Sequence, residues 1–124
     1  KISDEELGFI TGENDIKAAL PKLFTGNVKL VIYTCGSEGA YAFTKNAQAF
    51  AESEKVKAVD TTGAGDGFIG SFLYALKTLS VTAESLCDLE NAQLERCIAF
   101  SNKFCGESVK HQGAIDSYRK IEFI

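Results

Sequence analysis

The sequence predicts an α/β layered fold, and three observations carry that expectation. Residues 28–34 (VKLVIYT) are β-rich and almost continuously apolar, as a strand buried on both faces is. Phe68, Ile69, Phe72, Leu73 and Leu76 recur near the 3.6-residue period of a helix with one apolar face. Strand-like and helix-like segments alternate along the chain, the pattern of helices layered on a sheet. The 124 residues make one ordinary domain, long enough to bury a core unaided.

Taken in order, Ser3-Asp4-Glu5-Glu6 reads as a helix start, with Ser3 as N-cap and Glu6 at the reciprocal position. That helix runs through Leu7, Phe9 and Ile10 and stops near Gly12. Asn14-Asp15 starts a second helix through Ile16, Ala19, Leu20 and Leu23, and Pro21 is expected to kink it or end it early. After the strand at 28–34, Gly36-Ser37-Glu38-Gly39 is a turn. Residues 40–44 and 48–52 form a hairpin across Lys45-Asn46, and residues 55–59 alternate as a short strand. The apolar helix follows a glycine-rich stretch, residues 94–104 make a further helix ended by Gly106, and residues 108–124 are a loop.

The composition, 45% hydrophobic and 24% charged, is that of a soluble globular protein. A net charge of −4 argues against nucleic acid as a partner. No apolar run has the length to cross a bilayer, and no signal-peptide pattern is present, so a cytoplasmic location is expected. Cys35, Cys87, Cys97 and Cys105 form no C-x-x-C pair and have no histidine at ligand spacing, so they are expected as reduced thiols. The chain contains no methionine and opens on Lys1, which reads as part of a longer protein.

The informative stretch is Val59-Asp60-Thr61-Thr62-Gly63-Ala64-Gly65-Asp66-Gly67-Phe68, a strand running through small residues into an apolar helix. Helix N-termini carry unpaired N–H groups and the positive end of the macrodipole, and small residues let an anion reach them. An aspartate inside such a site repels what the site attracts. Either Asp66 merely caps the turn, or it is a general base taking a proton from an attacking hydroxyl while the amides hold a phosphoryl group. The spacing leaves both open. Gly65-Asp-Gly67-Phe-Ile-Gly70 also fits G-x-G-x-x-G, but no second strand with an acidic end follows at the required distance. The absence of G-K-[ST] excludes a P-loop.

The run D-T-T-G-A-G-D-G-F-x-G-S-F at 60–72 resembles the signature of the ribokinase (PfkB) family of carbohydrate kinases. Thr34-Cys-Gly36-Ser-Glu-Gly39 resembles the family's T-x-G-x-x-G turn beside the nucleotide. Asn102, followed by Ser108-Val109 and Gly113-Ala114, resembles its late helix and loop around the adenine. The opening Lys-Ile-Ser-Asp-Glu-Glu-Leu is most similar to fructokinases.

The resemblance implies a ribokinase-like fold, with a mostly parallel central sheet flanked by helices. Residues 1–124 would be the C-terminal nucleotide and catalytic-loop portion, without the N-terminal sugar-binding half and lid. Asp66 would be the base, and the amides of Gly63, Ala64, Gly65 and Asp66 the anion hole. Thr34, Gly36, Gly39 and Asn102 would contact ATP. Glu6 matches the acidic end of N-x-x-E, which organises Mg2+ through water, although Ser3 stands at the asparagine position and Glu6 is equally a capping-box residue. Asp60 and Thr62 would lie near a monovalent-cation site, typically K+. The implied reaction is phosphorylation of a sugar hydroxyl, with fructose as acceptor and homodimerisation through the absent lid. A ketodeoxy sugar acid, ribose or a nucleoside as acceptor, and a non-catalytic binding or scaffold relative, are the alternatives.

Overall fold

Ser3 opens helix α1 (Asp4–Thr11) as the local sequence predicts. Its hydroxyl accepts the Glu6 N–H at 3.2 Å, and the Glu6 carboxylate accepts the Ser3 N–H at 2.8 Å. Gly12, at φ 73°, ends the helix in the left-handed region. The computed structural model describes residues 1–124 apart from Ala58, Thr62, Ile115, Ser117 and Ile124. Asp15 caps helix α2 (Ile16–Leu23) by accepting the Ala18 N–H at 3.1 Å. Pro21 lies in the last turn of α2, which stops at Leu23.

The sheet has strands β1 (Ile2–Ser3), β2 (Val31–Thr34), β3 (Ala40–Phe43) and β4 (Gln48–Ala51), in that spatial order. Ile2 and Ser3 pair in parallel with Tyr33 and Thr34, whereas β2–β3 and β3–β4 are antiparallel. The mostly parallel sheet is therefore corrected: among the described residues it is mixed, with one parallel pair and two antiparallel ones. The connections between β2, β3 and β4 are too short for the crossover that parallel neighbours need.

Side chains alternate across the strands, and each face of the sheet builds its own core. Ile32, Ala40 and Ala42 pack with Phe68, Phe72 and Leu76 of helix α3 (Ala64–Thr78) and with Leu94, Cys97 and Ile98 of helix α4 (Asn91–Ser108). Val31 and Phe43 face the other way and pack with Ile2, Leu7, Ile16 and Ala19. The result is three layers, with α3 and α4 on one face and α1 and α2 on the other.

Three further expectations change. Strand β2 starts at Val31 rather than at residue 28, because only Val31–Thr34 find partners on β3. The described part of 55–59 is not a strand; Val59 and Asp60 donate their N–H groups to the Val109 carbonyl at 2.7 and 3.2 Å, docking the segment on the end of α4. Helix α4 does not end at Gly106 but continues to Ser108, with Gly106 buried against Glu54.

Candidate active site

The glycine-rich turn is tied down from both sides before α3 begins. Besides the two bonds to Val109, the Asp60 carboxylate accepts the Gly113 N–H at 2.9 Å, which joins the loop to the segment after α4. Gly63 is the N-cap at φ 76°, a conformation that favours glycine. A Cβ there would also stand 3.0 Å from the Ala114 Cβ, so conformation and space both require glycine. The first rung of the helix is the Gly67 N–H to the Gly63 carbonyl at 2.8 Å. The amides of Ala64, Gly65 and Asp66 precede that ladder, where the helix dipole is positive. Of these, the Ala64 N–H donates to the Thr61 carbonyl at 3.1 Å.

Ala64 and Gly65 line a cavity of about 270 Å3. Thr34, Gly36, Gly39 and Asn102 line the same cavity, so the turn after β2, the middle of α4 and the start of α3 converge. Asn102 is buried, and its amide donates to the Ala51 and Glu52 carbonyls at 2.9 and 3.1 Å. The side chain predicted to meet the nucleotide thus also holds the end of β4. A second cavity, about 310 Å3, shares Gly36, Ala64, Asn102 and Cys105 with the first and extends it past Val56, Gly106 and Val109. Asp66 lies on the other side of the helix start. With Gly67, Gly70, Tyr74, Phe104 and Tyr118 it lines a further cavity of about 750 Å3.

Lys1 also lines the first cavity, and a Cβ on Gly65 would come within 2.9 Å of the Lys1 Nζ. An ammonium therefore stands over the start of α3. Sequence reasoning missed it because Lys1 gains its meaning only when β1 pairs with β2 beside Thr34. Asp4 and Glu5 line the cavity, whereas Glu6, which is not among its lining residues, is engaged in the capping box. The N–H and hydroxyl of Ser3 hold the Glu6 carboxyl below the usual carboxylate range. Among the described residues no three His, Cys, Asp or Glu side chains gather as metal ligands. Thr62 lies outside the described residues, so of the proposed monovalent-cation pair only Asp60 is seen.

Two further residues touch the turn. The Cys105 thiol donates to the Ala64 carbonyl at 3.3 Å, and burial pushes its pKa up to about 12, which keeps it protonated. The Tyr118 hydroxyl donates to the Gly63 carbonyl at 2.9 Å. All four cysteines are free thiols, and no helix among the described residues is long and apolar enough to cross a membrane.

The model of the pfkB family of carbohydrate kinases matches residues 1–121. "Probable fructokinase-3" of Arabidopsis thaliana is 37% identical over 117 residues, covering 93% of this chain and 32% of that protein. Fructokinase-1 of Oryza sativa subsp. japonica is 34% identical, covering 94% of this chain and 35% of its own length. Among solved structures, the fructokinase of Vibrio cholerae with fructose, ADP and a calcium ion bound superimposes with a TM-score of 0.76 at 31% identity. That match covers 93% of this chain and 35% of the other. The ATP-bound fructokinase of Xylella fastidiosa reaches 0.84 at 24% identity, covering 94% of this chain and 38% of its own, a likeness of fold. The chain spans about a third of the length of the curated relatives it matches.

Proposed function

The chain belongs to the pfkB family of carbohydrate kinases, and from that premise we propose that it supplies the nucleotide site and catalytic turn of an ATP-dependent sugar kinase with fructose as acceptor. The acceptor-binding part of that enzyme lies outside residues 1–124. One observation carries the reading: Thr34, Gly36, Gly39 and Asn102 share a single cavity with Ala64 and Gly65 at the start of α3. The fructokinase of Vibrio cholerae, 31% identical, is described with fructose and ADP bound, which supports both substrates.

The adenine occupies the extension past Val56 and Val109, and the phosphates lie toward Gly65 and Lys1, where the helix dipole and an ammonium favour negative charge. Asp66 faces the opposite cavity, from which the acceptor hydroxyl approaches. Its carboxylate takes the hydroxyl proton as the sugar oxygen bonds to the γ-phosphorus and the bond to the ADP oxygen breaks. The anion hole is the turn of Gly63, Ala64, Gly65 and Asp66; with the Ala64 N–H engaged by the Thr61 carbonyl, the amides on either side of it hold the charge on the transferring group. Magnesium, when bound with ATP, would neutralise phosphate charge. The carboxylates lining the cavity, Asp4 and Glu5, fit an ion that keeps its waters and takes one or two protein carboxylates, and Glu6 follows them in the same helical turn. Asp60, with Thr62, would lie near a monovalent cation such as K+.

The test is sugar-dependent ADP release by the complete protein. Asp66→Asn should cut turnover by about 10²–10⁴-fold while leaving ADP affinity intact or improved, since an amide accepts no proton and repels no phosphate. Near-normal turnover removes Asp66 from the mechanism. Among free sugars fructose should be phosphorylated fastest. A preference for ribose, a nucleoside or a ketodeoxy acid changes the acceptor but keeps the kinase, whereas ATP binding without turnover on any acceptor makes the protein a binding relative.

A further inference from the structure

Two side chains far apart in sequence grip consecutive carbonyls at the start of α3. The Tyr118 hydroxyl donates to the Gly63 carbonyl at 2.9 Å, and the Cys105 thiol donates to the Ala64 carbonyl at 3.3 Å. A peptide unit is planar and trans, so fixing its carbonyl fixes the direction of the N–H on the same plane. The Gly63 carbonyl shares its plane with the Ala64 N–H, and the Ala64 carbonyl shares its plane with the Gly65 N–H. We propose that Tyr118 and Cys105 are positioning residues of the anion-binding turn: Cys105 sets the plane whose Gly65 N–H is presented to the phosphates of the nucleotide, and Tyr118 holds the plane before it, whose Ala64 N–H closes the turn on the Thr61 carbonyl. The proposal rests on the kinase reading of this cavity.

The surroundings are built for such contacts. Gly67 lets the tyrosine ring come up to the helix, since a Cβ there would lie 3.1 Å from both the Tyr118 and Phe104 rings. The Phe104 and Tyr118 ring centroids are 5.1 Å apart, so α4 braces the tyrosine from behind. Burial, and next the Asp66 carboxylate, raise the Tyr118 pKa, and burial raises that of Cys105, so both groups stay protonated donors at neutral pH. Gly63, as N-cap, has no side chain to cap the helix, and its carbonyl accepts the Gly67 N–H at 2.8 Å together with the Tyr118 hydroxyl.

The experiment is calorimetric titration of the complete protein with ADP and, separately, with adenosine, which lacks the phosphates. Tyr118→Phe removes only the hydroxyl, and Cys105→Ala only the thiol, while Cys105→Ser retains a donor. ADP affinity should fall about 3- to 10-fold in Tyr118→Phe and in Cys105→Ala, stay near wild type in Cys105→Ser, and adenosine affinity should hold within about 2-fold throughout. A folded variant with wild-type ADP affinity removes that residue from the proposal. Equal losses for ADP and adenosine, with a matching fall in melting temperature, overturn it in favour of simple structural support. The kinase reading fails separately: a wild type that binds ADP yet phosphorylates no acceptor refutes that reading alone. An active wild type with unchanged Tyr118→Phe and Cys105→Ala affinities refutes this inference alone, and a wild type that binds no ADP refutes both.

Discussion

The Glu6 carboxyl is held below the usual carboxylate range first by the Ser3 N–H and then by the Ser3 hydroxyl. Because the folded value lies below the unfolded one, the contact stabilises fully above the ordinary carboxylate pKa. That contribution is lost as pH falls through the lowered value. Carbon NMR of the Glu6 carboxyl should therefore show a midpoint below that of a peptide of the same sequence, and Ser3→Ala should raise it. A midpoint at the peptide value would mean that the box does not form in solution. The contrast with Asp66 shows what single residues disclose. Asp66 and Gly65 stood out because an acid and glycines at a helix start need a chemical reason. Lys1 and Tyr118 had no local pattern to mark them, since each reaches the turn from a distant part of the chain.

The turn between β2 and β3 forms one wall of the proposed nucleotide cavity, and its two glycines are not equivalent. Gly39 has φ 132°, and a Cβ on it would lie 2.3 Å from the Ala51 carbonyl oxygen, a backbone atom of the paired strand β4. Gly36 has φ 55°, and a Cβ on it would have nothing within 4 Å. Gly36→Ala should cost about 1–2 kcal/mol of backbone strain, and Gly39→Ala should cost more, about 3 kcal/mol, because β4 must also move. Urea denaturation midpoints of the two variants test this; equal midpoints would show that β4 yields freely. Capped helices and the hairpin were legible because their signals are local. The supposed strand at 55–59 misled because Val56 alternates toward the cavity beside α4, not toward a neighbouring strand. The supposed stop at Gly106 misled because that glycine meets Glu54 instead of turning the chain. The pair β1–β2 was illegible, since two residues carry no periodicity.

The three layers gather the proposed nucleotide residues around one cavity, whereas the cavity beside Asp66 is bounded in part by exposed residues of the tail. Thr34, Gly36, Gly39, Asn102 and the start of α3 converge within residues 1–124, so nucleotide binding is expected to reside in this chain. The cavity beside Asp66 is walled by Tyr74, Phe100, Phe104 and Tyr118, and its charged groups, Arg119, Lys120 and Glu122, are exposed residues of the tail. A sugar carries a hydroxyl on nearly every carbon, and holding it takes several fixed donors and acceptors. On this helix, α3, Leu73 and Tyr74 are more than half exposed, at 56% and 54%, and Tyr74 lines the cavity. Residues 1–124 expressed alone are therefore expected to bind ADP and to show no sugar-dependent turnover. Positioning the acceptor in line with the γ-phosphoryl accounts for on the order of 7–11 kcal/mol of rate enhancement. Without a wall on that side, water also enters and weakens each charge interaction in the site. The measurement is a coupled kinase assay on the purified chain, with an intact family kinase as control and a thermal melt to show that the chain is folded. Turnover on fructose near the control's rate would mean that residues 1–124 hold the acceptor themselves, through the cavity beside Asp66, and that the site is not divided.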